Sequence, residues 1–357
     1  MTDAESFLLS RPAGAVRGTG VRARYDSVDA ARAALRDGAP VVAGLLAFDT
    51  AGPAALLTPD RWTTDAGPIT ARTPAAIRPS HVWITPPAEH RDRVAAALAA
   101  IEAGRAAKVV LARTMEVGFD APLDPLSIAG GFAAGARDAA VFAAQGPDDR
   151  WLIGASPELL VRKQGRVVTC HPYAGSAARS ADPELDAAAA ASLSTSDKDL
   201  REHAFVVDDL RERLAPLCAE LSAPTAPSLM STGEMWHLAT PIRGVLHDDS
   251  VTALDLAARL SPTPAVGGTP RAAATALIAE LEGTREFYGG TVGWCDDRGD
   301  GEWLVSIRCL ELAADRRGIR TWAGGGIVTG SDPEAEVAET TAKFRTVRRA
   351  LGLDAAG

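Results

Sequence analysis

Apolar residues in this 357-residue chain fall into short unbroken runs in some stretches and into helical spacing in others. Up to position 87 the pattern is broken by Gly and Pro. Runs such as Val41-Val42-Ala43-Gly44-Leu45-Leu46-Ala47-Phe48 there predict strands. Residues 90–103 are Ala-rich with charges on one side, an amphipathic helix ended by Gly104. The β-branched run KVVLARTMEV at 108–117 predicts a strand, followed by a helix over 125–137 and a strand-turn-strand pattern over 139–169. A long helical pattern covers 182–221, interrupted near 194–196, and another covers 251–260. Pro270 is placed to start a helix over 271–282. Residues 289–293, 303–312 and 320–323 read as strands, with the turn-rich DDRGDG at 296–301 between the first two, and a helix over 333–351 closes the chain.

Strands arriving in neighbouring groups and hairpins, without strict βαβ alternation, predict an α+β fold with large antiparallel sheets. There is no internal repeat and no low-complexity linker. A boundary near 85–95 sets an N-terminal portion, residues 1–90, against residues 91–357.

Composition narrows the class. With 37 basic and 46 acidic side chains the formal charge is −9, which disfavours a nucleic-acid binder. The 46% apolar and 23% charged content is that of a globular protein, and a chain this long buries about three quarters of its extended surface without staples. Cys170, Cys218, Cys295 and Cys309 form no C-x-x-C pair and read as reduced thiols. The acidic start Met1-Thr2-Asp3-Ala4-Glu5 lacks the order of a signal peptide, and no stretch approaches the ~20 apolar residues of a membrane span. The expectation is a cytoplasmic protein.

Six groups carry candidate chemistry. Glu336, Glu339 and Lys343 stand at i, i+3 and i+7, so they share one face of the closing helix, either solvated or turned to a site. The preceding Gly324-Gly325-Gly326 suits an anion nest or a tight turn. Asp199 and Glu202, at i and i+3 before His203, are surface carboxylates or half of an oxygen-rich pocket for a hard divalent cation. Lys108 opens an apolar strand, exposed at its edge or desolvated as a base. Glu158 follows a buried-looking strand, where an apolar pocket would keep its carboxyl protonated as an acid. Arg308 lies inside the expected 304–310 strand, suited to bidentate capture of a carboxylate or to a structural ion pair.

Together these segments resemble the chorismate-utilising enzymes, the family of isochorismate, salicylate, anthranilate and aminodeoxychorismate synthases. The motifs stand in the family's order across residues 108–353: KVVLAR (108–113), GASPELL (154–160), PYAGSAAR (172–179), SDKDLREH (196–203), HLATPIRG (237–244), SPTPAVGGTP (261–270), YGGTVGW (288–294), SIR (306–308) and AGGGIVTGSDPEAEVAETTAK ending at Lys343. The resemblance implies one integrated domain, two large antiparallel sheets layered together with helices outside, with 91–357 as the chorismate-binding catalytic region. It implies that Lys108 activates water for attack at ring carbon 2, and that Glu158 protonates the departing 4-hydroxyl. It further implies that Glu202 and Glu339 ligate Mg²⁺, with Asp199 and Glu336 acting through metal-bound waters. Arg308, Lys343, Ser176 and the backbone at Gly175, Ala265 and Gly324 match substrate contacts. His237 matches a histidine near the ring hydroxyl and enolpyruvyl group.

Lys108, where the ammonia-using members carry glutamine, and HLATP after position 236 point to isochorismate synthase of the siderophore type. Salicylate synthase and ammonia-using aminodeoxyisochorismate synthase are the alternatives. The implied partners are chorismate and, downstream, an isochorismatase or pyruvate lyase. Neither nucleic acid nor membrane is expected, and the chain is expected to be a monomer. Three positions depart from the family pattern: Ser261 in place of the usual His, the loose Gly267-Gly268, and the bulky Trp322.

Overall fold

The computed structural model describes residues 4–73, 78–136, 139–232 and 235–353. Its central strands are unbroken apolar runs because both faces are covered: Val41–Leu46, Trp151–Ser156 and Gly301–Val305 are buried at every position. Ten strands form one antiparallel sheet. Its main path runs Gly268–Thr269, Lys108–Phe119, Gly318–Val328, Cys309–Leu312, Trp151–Ser156, Ala140–Gln145, Glu5–Arg11, Gly14–Thr19, Arg61–Ala66, and Pro79–Ile84 also pairs with Lys108–Phe119. Nine more form the second sheet, from Cys218–Ser222 through Ile242–Leu246, Val167–His171, Leu159–Gln164, Gly301–Val305, Thr291–Asp296, Val41–Leu46 and Ala54–Thr58 to Ala23–Tyr25. A small third sheet holds Tyr173–Ala178, Met235–Ala239 and Ser228–Ser231.

The large sheets share a core in which Phe7, Phe142 and Leu152 of the first meet Leu45, Val292 and Leu304 of the second. On the outer face of the second sheet, Val206 and Leu210 of the Asp197–Leu214 helix and Leu254 and Leu256 of Ala253–Leu260 complete another core. Phe132 of Pro125–Gly135 and Phe344 and Val347 of Pro333–Ala350 do the same for the first sheet. The result is an α+β single domain of helices, sheet, sheet and helices.

Two of the chain crossings between the layers lie together. Trp151–Ser156 lies in the first sheet and Leu159–Gln164 in the second, so Pro157-Glu158 spans the gap. Gly301–Val305 and Cys309–Leu312 make the opposite passage, through Ser306-Ile307-Arg308. The crossings are tied together: Ser156 Oγ donates to the Val305 carbonyl (2.6 Å) and accepts from the Glu158 N–H (3.2 Å), while Val305 N–H donates to the Glu158 carbonyl (3.1 Å).

The structure corrects several expectations. The expected 303–312 strand is two strands, and Arg308 sits in the break with φ of 50°. The helical reading of 182–221 overruns: helices Pro183–Thr195 and Asp197–Leu214 are followed by the strand Cys218–Ser222. Ser196 ends the first helix and caps the second, accepting from the Asp199 N–H. The first 87 residues contain a helix, Val28–Arg36, capped by Ser27, where only strands were expected. The short 320–323 strand extends over Gly318–Val328 and pairs along its whole length with Lys108–Phe119. The end of the 125–137 helix at Arg137, like Met1–Asp3, lies outside the described residues. Among the described residues no helix is long and apolar enough to cross a membrane, and all four cysteines are free and buried.

Trp303 is the largest fully buried side chain, in the core shared with the Ala253–Leu260 helix. Trp303→Ala is expected to lower the unfolding free energy by about 3–5 kcal/mol through loss of contacts and a residual cavity. Urea denaturation followed by circular dichroism measures this.

Candidate active site

The triglycine is neither nest nor turn. Gly324, Gly325 and Gly326 lie in mid-strand, paired opposite Ala112, Leu111 and Val110. Their lack of side chains makes room for carboxylates: a Cβ on Gly325 would collide with Glu336 Oε2, and one on Gly326 with Glu202 Oε1. The closing helix therefore turns its acidic face inward. Its N-terminus is fixed by Asp332, which accepts from the Ala335 N–H (2.8 Å), and by Pro333 in its first turn. The second helix of the site, Asp197–Leu214, brings Glu202 to the same glycine strand.

Four carboxylates and three lysines meet here. Lys108, wholly buried at the start of its strand, pairs with Glu202 at 3.0 Å. Lys198 pairs with Glu336 at 3.0 Å. Lys343 donates to Glu339 Oε1 at 2.6 Å and to the Gly324 carbonyl at 2.7 Å, and Ser176 Oγ donates to the same Glu339 oxygen at 2.7 Å. Burial and the neighbouring Glu339 push the Glu336 carboxyl up, against the pull of Lys198. For Glu339 burial pushes the same way, but Lys343, Ser176 and Lys198 outweigh it and hold the carboxyl below its ordinary range. Asp199, half-buried, is raised by burial and stands against Gly175, whose added Cβ would lie 3.1 Å from the Asp199 Cβ.

The cavity in front of this cluster is lined by Glu158, Gly175, Ser176, Glu202, His237, Ala265, Arg308, Gly324, Glu339 and Lys343, ten of the thirteen residues expected from the sequence. The other three do not line it: Lys108 pairs with Glu202, Asp199 stands against Gly175, and Glu336 pairs with Lys198. Burial pushes the Glu158 carboxyl up to about 8, a rise limited by Lys108, the Tyr173 N–H and Lys343, so the group is protonated at neutral pH. His237 is held well below the ordinary imidazole range by burial, and Arg308 and Lys343 add to this, so it is a neutral ring. Its Nε2 lies 3.4 Å from Thr232 Oγ1, and Tyr173 meets it edge-on at 5.7 Å. Arg308 turns into the cavity from the second crossing, with Nη1 3.4 Å from Thr346 Oγ1.

Of the three aromatic walls, sequence reasoning marked Trp322 as a bulky departure and gave no role to Tyr173 or Tyr288, nor to Lys198. Tyr288 and Trp322 stack at 5.2 Å with an 11° interplanar angle, and both line the cavity. Tyr288 stood inside YGGTVGW and Lys198 inside SDKDLREH, but only tertiary pairing shows what either touches. Of the three departures, Trp322 narrows the cavity, whereas Ser261 and Gly267 do not line it.

Among the described residues no three His, Cys, Asp or Glu side chains stand as a ready-made metal cage. The donor chemistry nonetheless fits a hard cation. All four acids are carboxylates, one buried oxygen, Glu336 Oε2, has no hydrogen-bond partner, and Mg²⁺ needs only one or two carboxylates besides water and substrate oxygens.

A family profile described as "Chorismate binding enzyme" matches residues 66–352. MenF of Mycobacterium tuberculosis is 49% identical over 367 residues, covering 98% of this chain and 96% of that protein. Isochorismate synthase DhbC of Bacillus subtilis is 43% identical over 329 residues, covering 88% and 81%. The crystal structure of DhbC from Bacillus anthracis superposes with a TM-score of 0.90 at 34% identity, covering 98% of this chain and 96% of that one. With the family profile matching residues 66–352 and a relative 49% identical over 98% of its length, this chain belongs to the chorismate-binding enzyme family.

Proposed function

We propose that this chain is an isochorismate synthase, converting chorismate to isochorismate by adding water at C2 while the C4 hydroxyl leaves and the ring double bonds shift. The observation that carries the reading is the company kept by Glu158. A carboxyl protonated near neutrality opens on the same cavity as two cations, Arg308 and Lys343, and as Glu202, which carries the buried Lys108. Glu158 gives its proton to the departing C4 oxygen, and Lys108, working as the neutral amine, takes one from the attacking water. Arg308 and Lys343 receive the substrate's negative charge, with Ser176 and the backbone at Gly175, Ala265 and Gly324 fixing the ring's position. Neutral His237 offers a hydrogen bond near the ring hydroxyl and enolpyruvyl group without adding charge.

Glu202 and Glu339 would hold Mg²⁺, with Asp199 and Glu336 behind them. When bound, the ion supplies positive charge for the ring carboxylate and offsets the acids around it. In the ligand-free protein Glu202 and Glu339 are instead held by Lys108 and Lys343. The product would pass to an isochorismatase or a pyruvate-eliminating lyase on the way to 2,3-dihydroxybenzoate or salicylate. The setting is the cytoplasm and the working unit a monomer. Support for the siderophore branch is the likeness to DhbC, which in the Bacillus anthracis structure is described as 2,3-dihydroxybenzoate-specific.

Purified protein given chorismate and Mg²⁺ should yield isochorismate on chromatography. Salicylate with pyruvate would instead identify a salicylate synthase, and an ammonium-dependent amino product an aminodeoxyisochorismate synthase. Lys108→Ala and Glu158→Gln should each cost about 10²–10⁴-fold in kcat with the fold intact by circular dichroism. A tenth or more of wild-type activity in Lys108→Ala would refute its role as base.

The pH dependence follows from Glu158. The acid form is the working one and is present below its pKa, so kcat should fall as pH rises through about 8. A pH–rate profile with no alkaline limb near that value would remove Glu158 from the acid role. EDTA should stop turnover and added Mg²⁺ restore it. Gly326→Ala, whose methyl would collide with Glu202, should raise the Mg²⁺ concentration for half-maximal activity at least tenfold.

A further inference from the structure

A second cavity, of about 450 Å³, lies on the far side of the wall formed by residues 285–288. Phe48, Ile278 and Phe287, each no more than 4% exposed, give it an apolar lining together with Pro53 and Pro147. Its size falls in the range of roughly 300–1,000 Å³ that takes small organic ligands. The arginines on its border are already matched. Arg150 pairs with Glu286 at 2.7 Å and with Glu311 at 3.1 Å, and Arg285 pairs with Glu282 at 2.8 Å. Asp49 is exposed to solvent and accepts from the Ala51 N–H. An anion would have to break one of the arginine pairs, and a cation at Asp49 would stay in solvent, so the apolar lining selects an uncharged ligand.

The wall belongs to both cavities. Arg285, Glu286 and Phe287 face the second, and the next residue, Tyr288, faces the chorismate site and stacks on Trp322 there. Arg285 also donates to the carbonyls of Val110 and Val266 at 2.7 Å each, and both valines line the chorismate site. Phe48 is the second link. Its N–H donates to the Glu286 carbonyl at 2.8 Å, its ring lies 4.9 Å from the Arg285 guanidinium, and it abuts Gly289, where an added Cβ would sit 3.2 Å from it. Glu286, between these contacts, is held at φ of 49°, a left-handed conformation that a non-glycine residue keeps only under outside constraint. A ligand pressing on Phe48 or Phe287 therefore acts on a strained segment whose next side chain is a wall of the active site.

We propose that this cavity binds an uncharged aromatic molecule of about ten heavy atoms, and that its occupancy raises the KM for chorismate through the 285–288 wall. The kinetic half rests on the isochorismate synthase reading, whereas the binding half does not.

The test uses 1-naphthol, an uncharged fluorescent ring system, titrated into the intact protein. Saturable 1:1 binding is expected, with KM for chorismate raised about fivefold at saturation, the lower end of ordinary coupling. Ala279, at the exposed edge of the lining, and Thr275 offer two variants outside the active site, Ala279→Phe and Thr275→Phe. Each should weaken 1-naphthol binding at least tenfold while leaving turnover and the thermal midpoint unchanged. The proposal is overturned if wild type shows no saturable binding, if both variants bind as well as wild type, if chorismate abolishes binding outright, or if bound 1-naphthol leaves KM unmoved. Absence of turnover with chorismate, alongside binding that the variants remove, would sink the isochorismate synthase reading and leave the site itself standing.

Discussion

Burying carboxylates is what this structure must solve, and it does so with lysines. An unpaired buried charge costs several kcal/mol, and breaking a buried pair typically costs about 3–5 kcal/mol. Glu202, Glu336 and Glu339 each have one lysine, from three different places in the chain. This pairing explains features that otherwise look unrelated. Gly325 and Gly326 in the strand beneath leave the space that the Glu336 and Glu202 carboxylates occupy, and Gly324 leaves room for the Tyr288 hydroxyl. Ser196 must break the helical run, because the cap it makes to Asp199 sets the first turn that carries Lys198. The closing helix must present Glu336, Glu339 and Lys343 together, and their spacing does so.

The frame that holds this cluster comes from strands changing sheets. Glu158 and Arg308, which line the cavity beside Pro157 and Ile307, both lie at crossings, where the chain leaves regular pairing and a side chain can point between layers. Because the crossings bond to each other through Ser156 and Val305, neither can shift alone. The small third sheet supplies Gly175, Ser176 and His237. His203 ties it to the Asp197–Leu214 helix through the Ala174 carbonyl (3.1 Å) and Thr240 Oγ1 (2.7 Å).

Much of this was legible in the sequence where local chemistry decides the outcome. The Arg271–Glu282 helix starts after Pro270 as expected, and the closing helix follows from Pro333 and the i, i+3, i+7 pattern. What failed to read was set by tertiary context. Within the expected 182–221 helix Pro216 was a usable stop, and sheet pairing with Ile242–Leu246 makes a strand of Cys218–Ser222 beyond it. The Val28–Arg36 helix buries only Ala31, so its apolar signal is thin, although Ser27 was a usable cap. The triglycine looked like a loop because glycine is a poor strand former, and only the carboxylates packed above it explain why it stays in the sheet. Arg308 was placed inside a strand because a three-residue break between two apolar runs leaves no mark on periodicity. The acids were readable as a group, while the aromatic walls were not, since Tyr and Trp serve equally well in any core.

The lysine pairing has a consequence for how the site meets cations. A cavity lined by acids alone would be a trap, filling with whatever cation is abundant and holding it. Here every carboxylate with a tethered ammonium already has its counter-ion, one that cannot diffuse away. Loading the site is therefore an exchange, not an addition: an incoming cation must displace a covalently attached competitor at very high local concentration. Such a site would discriminate by what the newcomer brings with it, since each displaced ammonium needs a new partner.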